Sequence, residues 1–452
     1  MGCRKKVRLS DVAELTPGFA FKSTDFGEYS HKAIKITNIS REGYSDAFPG
    51  VDIDAYPAGK LDKYLIGEGD YYLAMTGSIG KVGRLVRGSA YLNQRVLGLK
   101  AKSQIDADYL WFVLNSADFH RHLLTHIDSH SVQANISAES VGSFEFDLPP
   151  MNVQLRIGFV LGSFDKKIIA NNRINGYLLD FLKAKSKSIY GPYEDNASRL
   201  PTGWKRVKVS DVASFVTRGI TPKYNDESNQ IVLGQTCIRG NLVLPENGRR
   251  HDPKKITDKW LQKGDLLINS TGVGSLGRTA QIWFDPKNMV VDSHVTIVRT
   301  NRYEDSLYLA FWAFSHERYI ESLHTGSTGQ TELPRDNVKA MELVFPDEEE
   351  LSEFNSIAIP MTEQITANQL ENRQLEKTRD TLLPKLMSGE IDVSKVEVPT
   401  PPNSHLCACK HALPLEPCSS ISASIVNGRV FRPSCVTGRR FRKHKGCPHL
   451  TR

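Results

Sequence analysis

The sequence predicts an α+β chain in which two similar heads of mixed α/β character are joined by two long helices pairing as an antiparallel coiled coil. Three observations carry this expectation. Much of the chain occurs twice, about 200 residues apart. Within each copy, short strand-like runs broken by glycine and proline precede a helix, without a regular βαβ rhythm. Each copy then ends in proline and enters a long polar segment with apolar residues every three or four positions.

The repeat is explicit in the residues. Ser10-Asp11-Val12-Ala13 returns as Ser210-Asp211-Val212-Ala213, and Gly69-Asp70 with Thr76-Gly77 returns as Gly264-Asp265 with Thr271-Gly272. Gly83-Arg84 reads as returning at Gly277-Arg278, with one residue dropped inside the glycine-rich turn. Ala170-Asn171, Asn175 and Leu178 return at a constant offset of 197 as Ala367-Asn368, Asn372 and Leu375. A period this long exceeds the roughly 20–50-residue units of a solenoid, so it marks a duplicated domain with its linker. Two similar heads favour gripping two similar targets over single-site catalysis.

Taken in order, residues 1–150 form the first head, with strand-like runs at Ala33 to Ile39 and Asp70 to Met75 and a helix from Ala107 to Thr125. Residues 151–200 form a central helical spacer, with a seam from Leu161 through Phe164, Ile168, Asn172 and Asn175 to Leu182. Residues 201–346 repeat the head, with strands at Asp265 to Asn269, Thr279 to Phe284 and Val295 to Arg299 and a helix from Ser306 to His324. Residues 347–392 form the C-terminal helical spacer, whose seam runs from Leu351 to Leu386 and includes Asn368 and Asn372. Each helix should be about 35 residues, roughly 50 Å at about 1.5 Å per residue. Asparagines on or beside the seam weaken packing but fix register. Pro360 should kink or interrupt the second helix near its start. Each helix either packs on its own head or pairs with the other to hold the heads apart; polar outer faces and matching lengths favour pairing.

Residues 393–452 differ in character. They are rich in Pro, Ser, Cys, Arg and His, lack periodicity, and read as a disordered extension. Of the formal charge of +7, this tail carries ten Lys or Arg against two Glu, a balance of +8 that leaves −1 for the other 392 residues. Net charge therefore gives the body no mandate to bind nucleic acid, and any such surface must come from local clustering. Five of the seven cysteines lie in the last 46 residues, so the body reads as reduced. With no apolar run near 18 residues and no secretory leader, a cytoplasmic protein without a membrane span is expected. In the tail, His405, Cys407, Cys409, His411 and Cys418 lack the paired spacing of a zinc site, so no metal is expected.

Several enzyme signatures fail on inspection. Gly272-Val273-Gly274-Ser275-Leu276-Gly277 matches the letters of a dinucleotide fingerprint, but the following Arg278 to Phe284 alternates like a strand where the chemistry needs a helix N-terminus. In the first head, Lys81 precedes Val82, not the Ser or Thr of a phosphate loop. Leu148-Pro149-Pro150-Met151 lacks the amide or acid of an amino-methyltransferase motif. No catalytic residue or cofactor is expected. The glycine turns instead present Thr76, Ser78, Lys81 and Arg84 in one head and Thr271, Ser275 and Arg278 in the other. Small residues admit a ligand close to the backbone, and flanking cations suit phosphate. Further polar residues recur after the second helical stretch, His130, Gln133 and Asn135 against Ser327, Thr328 and Gln330, with side chains suited to base edges. These thirteen are the candidate DNA-binding residues; each equally suits a turn or cap.

The chain resembles the specificity subunit of a type I restriction–modification system over about residues 6–392. The resemblance rests on Gly18-Phe19-Ala20-Phe21-Lys22-Ser23 with Ile34 to Ile39, Gly69-Asp70 leading into Thr76 to Gly83, and Leu92-Asn93-Gln94-Arg95-Val96. It continues through Leu148-Pro149-Pro150, Phe164-Asp165-Lys166-Lys167 and the ending Leu382-Leu383-Pro384-Lys385-Leu386-Met387-Ser388-Gly389-Glu390-Ile391. Val153-Gln154 departs from the usual Glu-Gln helix opening, and Thr362 stands where the first copy has Asp165. The resemblance implies two target-recognition domains, each reading one half of a split double-stranded DNA sequence, with the helices setting the gap. It also implies two modification (methyltransferase) subunits carrying S-adenosylmethionine, and restriction subunits (ATP-dependent translocase/endonuclease), with no chemistry from this chain. The rivals are a DNA-modifying enzyme with an unrecognised active site and a degenerate scaffold that has lost DNA binding.

Overall fold

The computed structural model describes residues 4–39, 44–45, 48–127, 134–195, 198–252, 258–326 and 331–398. Each head is closed by pairing its first strand with its last. Lys5–Arg8 runs antiparallel to Glu145–Leu148, and Lys205–Lys208 to Glu342–Phe345. Between these staples lies a main sheet, ordered Ala13–Pro17, Val96–Ala101, Tyr71–Ala74, Val82–Leu85 and Tyr44–Ser45 in the first head. In the second head the order is Ala213–Arg218, Val295–Thr300, Leu266–Asn269 and Thr279–Gln281. The central strands Tyr71–Ala74 and Leu266–Asn269 are buried at every residue, which explains their continuous rather than alternating character. A smaller sheet flanks each main one, and in both heads it contains a parallel pair: Phe26–Ile34 with Ser89–Leu92, and Ile231–Leu233 with Met289–Val291.

Local side-chain chemistry divides elements that periodicity predicts as continuous. The helix expected over 107–125 is two, Ala107–Leu114 and Ala117–Thr125, because Ser116 leaves the helical path and its hydroxyl accepts the Phe119 amide at 3.2 Å. The second head repeats the break at His316, between Tyr303–Ser315 and Glu317–Ser322. The expected strand over 33–39 ends at Ile34 and continues as a short 3-10 turn, Ile36–Asn38. There the Asn38 side chain accepts the Lys35 amide at 3.1 Å, offering the backbone an alternative to the ladder.

The two spacers are single helices, Met151–Tyr190 of 40 residues and Glu348–Ser388 of 41, each roughly 60 Å long at about 1.5 Å per residue. Asp347 caps the second by accepting the Glu350 amide at 3.0 Å, and Gly389, at φ 81°, ends it. Pro360 does not interrupt this helix. Phe354 and Ala358 before it and Thr362 and Ile365 after it are all buried, so packing on both sides holds the turn whose amide bond proline cannot make.

The helices pair antiparallel through a buried polar ladder. The Asn171 side chain donates to the Asn372 side-chain oxygen (2.8 Å) and to Glu371 (2.7 Å); Asn368 donates to Asn175 (2.7 Å), and Asn372 to Asn172 (2.8 Å). The 197-residue offset carries Asn171 onto Asn368 and Asn175 onto Asn372. It thereby exchanges the Asn171–Asn372 pair with the Asn368–Asn175 pair, and the duplication becomes a local pseudo-two-fold axis.

Both helices contribute to both heads. The first head packs on Ile157 and Leu161 of the first spacer and on Leu386 and Val393 near the end of the second. The second head packs on Leu179, Leu182 and Ile189 of the first spacer and on Leu351, Phe354 and Ile365 of the second. The symmetry fails at one buried point. Asp165, 5% exposed at its side chain, accepts from the Trp111 indole at 2.9 Å and from Arg379 at 2.6 Å, tying the first head to both helices. At the equivalent place Thr362 donates its hydroxyl back to Ala358, at 2.9 Å.

Asp165→Ala should therefore lower stability by about 1–3 kcal/mol in urea unfolding, since it removes a buried acceptor shared by the Trp111 indole and the half-buried Arg379 guanidinium, which keeps Asp380. Thr362→Ala should cost no more than about 1.5 kcal/mol. Equal losses would show that the ion pair does not anchor the first head.

Candidate nucleic-acid interface

Each head presents a glycine turn joining two strands of its main sheet. In the first, Gly80 N donates to Ala74 O (3.2 Å) and Ala74 N to Lys81 O (2.9 Å); in the second, Gly277 N donates to Asn269 O (2.8 Å) and Asn269 N to Arg278 O (2.9 Å). Gly80 and Gly277 share φ near 80° (82° and 80°), and each faces a helix. A Cβ on Gly80 would meet His120 and Leu123, and one on Gly277 would meet the Glu317 and Glu321 backbone. Gly80-Lys81 is thus the counterpart of Gly277-Arg278, which corrects the pairing of Gly83-Arg84 with Gly277-Arg278. The turn from Thr76 to Lys81 is two residues shorter than that from Thr271 to Arg278.

This correction separates Arg84 from the turn. Arg84 lies on the strand Val82–Leu85, bonds Asp108 at 2.6 Å, and lines a cleft of about 390 Å³ between the first head and the first spacer. Its counterpart is Gln281, buried and donating to Gly264 O and Ser306 O, both at 2.9 Å. Both side chains hold strand to helix.

The remaining candidates divide by place. Thr76 is buried and its backbone bridges Asn135, while Thr271 likewise bridges Glu332, so the chain segment after the second helix of each head lies against the glycine turn. Ser78 is half-buried. Ser275 donates to Gly272 O at 3.4 Å, within the turn. Lys81 is half-buried, and its ammonium makes no hydrogen bond or ion pair among the described residues. Arg278 is exposed and donates to Gly274 O at 2.5 Å. His130, Gln133, Ser327, Thr328 and Gln330 lie outside the described residues. Beneath the first turn, burial pushes the His120 imidazole down from its ordinary value, favouring the neutral ring against Gly80.

A second turn adjoins each glycine turn and escapes prediction as a site. Met75 N donates to Arg95 O (2.9 Å), and Ser270 N to His294 O (2.8 Å). Both turns are fixed by a close chain crossing that only glycine permits: a Cβ on Gly18 would lie 2.0 Å from Asn93 O, and one on Gly219 2.3 Å from Asp292 O. Arg95 has φ 66°, a left-handed backbone costing a non-glycine residue about 1–2 kcal/mol. Its sequence signal was available only within Leu92-Asn93-Gln94-Arg95-Val96, with no periodicity to mark it.

The Gly-Asp motifs prove structural. Asp70 accepts the Gly67 amide at 2.9 Å, and Asp265 accepts the Gln262 amide at 2.7 Å and the Arg299 guanidinium at 2.7 Å. Burial raises the Asp265 carboxyl, against the opposing pull of Arg299. Among the described residues no group of three or more His, Cys, Asp or Glu is placed to hold a metal ion, and no helix is long and apolar enough to cross a membrane.

Duplicated heads with a glycine turn each, mounted on an antiparallel helix pair, are matched among known proteins. Residues 4–178 match the family model for the type I restriction modification DNA specificity domain. Over its length the chain resembles type I specificity subunits, as the sequence fragments predict. It is 21% identical over 330 residues to the type I restriction enzyme MjaIX specificity subunit of Methanocaldococcus jannaschii, spanning 67% of this chain and 73% of that one. It is 24% identical over 208 residues to the HindI specificity subunit of Haemophilus influenzae, spanning 42% of each. The fold is that of the type I system S subunit from M. genitalium, with a TM-score of 0.52 at 14% identity, over 85% of this chain and 96% of that one.

The glycine-turn geometry orders two substitutions. Gly274 and Gly277 both have positive φ, but a Cβ on Gly274 meets nothing within 4 Å whereas one on Gly277 meets Glu321 N at 2.8 Å. Gly274→Ala should cost about 1–2 kcal/mol and Gly277→Ala about 1–3 kcal/mol more, read by thermal unfolding; equal losses would contradict the packing of this turn on its helix.

Proposed function

We propose that this chain is the DNA-recognition component of a type I restriction–modification complex, each head reading one half of a bipartite, asymmetric target. The observation that carries the reading is the specificity-domain match at residues 4–178 in a chain whose second head repeats the first about a pseudo-two-fold axis. A dyad of this kind suits a double helix, whose two strands are themselves related by dyads, and divergence between the heads makes the target asymmetric. Half-sites about one DNA turn apart, about 34 Å, suit heads held by helices of this length.

The helices set the spacing between halves and dock the modification subunits. Ile174, Tyr177 and Phe181 on the first spacer and Leu370 on the second are exposed apolar side chains outside both head cores, which supports a partner surface there. The chain is non-catalytic: methyl transfer belongs to two modification subunits, and ATP-dependent translocation and cleavage to restriction subunits, in the cytoplasm. Within each head the glycine turn, with Thr76, Ser78 and Lys81 or Thr271, Ser275 and Arg278, lies on DNA, joined by Asn135 and by the segments carrying His130, Gln133, Ser327, Thr328 and Gln330.

Methylation mapping of genomic DNA, from cells with and without this chain and its modification partner, tests the proposal. A two-part motif with a fixed gap and different halves is expected. A continuous motif, or methylation by the purified chain alone, would reject it.

A further inference from the structure

Resting on that DNA-recognition reading, we propose that Arg95 in the first head and His294 in the second are equivalent DNA-phosphate contacts, forming with Lys81 and Arg278 a sequence-independent clamp on each half-site.

The two residues correspond in backbone hydrogen bonding, although only Arg95 has a positive φ. Each supplies the carbonyl that accepts the amide just before the glycine turn, Met75 for Arg95 and Ser270 for His294. Each also follows the crossing that requires Gly18 or Gly219. Both side chains are exposed, although the strands that follow them are buried from Val96 and Val295 onward.

The chemistry points outward in both cases. Several arginines near the head cores are engaged by carboxylates, as in Arg84–Asp108, Arg299–Asp265 and Arg302–Asp305. Arg95 makes no hydrogen bond or ion pair among the described residues. It also occupies a left-handed position that glycine would fill without strain, so the turn itself gives no reason for an arginine. In the second head, Gln235 Nε2 donates to Thr271 Oγ1 at 2.5 Å, and that hydroxyl lies 2.9 Å from His294 Nδ1. The other ring nitrogen, Nε2, makes no hydrogen bond among the described residues and is free to meet a ligand.

Duplication decides between phosphate and base. The two half-sites differ in their bases but present the same phosphates. A donor retained at one place in both heads, beside glycines whose absent Cβ atoms leave open space at Gly77 and Gly274, fits the shared feature.

The test uses the full chain assembled with its modification subunits, with binding measured by fluorescence anisotropy on target and non-target duplexes across a salt series. Arg95→Gly removes the guanidinium and the backbone strain together, so thermal stability should hold or rise while affinity falls. A loss of roughly 5–10-fold is expected on both duplexes, with the slope of log K against log salt reduced by about 0.9 per lost contact. His294→Ala should weaken both duplexes several-fold with a smaller change in slope. The methylated motif should stay the same in both variants. Unchanged affinity and slope in Arg95→Gly would overturn the proposal, and so would relaxed sequence preference in one half-site, which would make the residue a base reader. Failure of the wild-type complex to prefer any two-part target would reject the underlying function instead.

Discussion

The antiparallel register of the two spacer helices is the constraint on which the rest depends. A duplicated chain relates its copies by translation along the sequence; only antiparallel pairing turns that into a two-fold relation in space. The register is held by asparagine pairs rather than by apolar packing alone. Sliding one helix along the other would leave Asn171, Asn175, Asn368 and Asn372 buried without partners, at about 1–3 kcal/mol for each unsatisfied group. An apolar seam would be more stable but would tolerate several registers. The rim pairs Lys167–Glu371 and Lys185–Glu353, both substantially exposed, add little to this choice.

Because the helices run in opposite directions, neither head is complete on its own stretch of sequence. The first head's core takes Leu386 and Val393 from the far end of the second spacer. Arg4 donates to Met387 O, and Arg156 to Val396 O at 3.0 Å, so the two ends of the described chain close on each other. The Asp165–Arg379 pair acts at the same junction. Folding of the first head therefore waits on residues nearly 390 positions away, a contact order that favours slow, late consolidation of that end.

The long elements were legible because their signal is summed over many residues. Apolar spacing over forty positions outweighs local exceptions such as Pro360, and it marked Asn175, Asn368 and Asn372 on the seam. In the first helix it also took Asn172, where the structure buries Asn171 and leaves Asn172 exposed. Short-range features were illegible where one side chain decides the backbone. Ser116 splits a helix with a single hydrogen bond, and Asn38 ends a strand with another. The glycine turn was located correctly but aligned by its letters, Gly-Arg with Gly-Arg. The structure aligns it by positive φ and contact with a helix, which brings Lys81 opposite Arg278. Arg95 and His294 carried no periodicity and differ in residue type, so it takes the shared backbone hydrogen bond and the glycine crossing before each to identify them as equivalent.

That realignment also reconciles a nearly neutral body with a nucleic-acid partner. A charge of −1 over the 392 residues before the tail leaves little long-range attraction, so affinity depends on which cations remain unpaired and where they stand. Divergence has treated two neighbouring positions differently. Arg84 has become Gln281 in the other copy without loss, because both hold strand to helix and hydrogen bonding suffices for that task. Lys81 has become Arg278, keeping its charge while the turn around it changed length. A position whose charge outlasts a change in its own loop is constrained by something outside the fold. On the proposed reading, in which the two half-sites share only their backbone, that constraint is the phosphate.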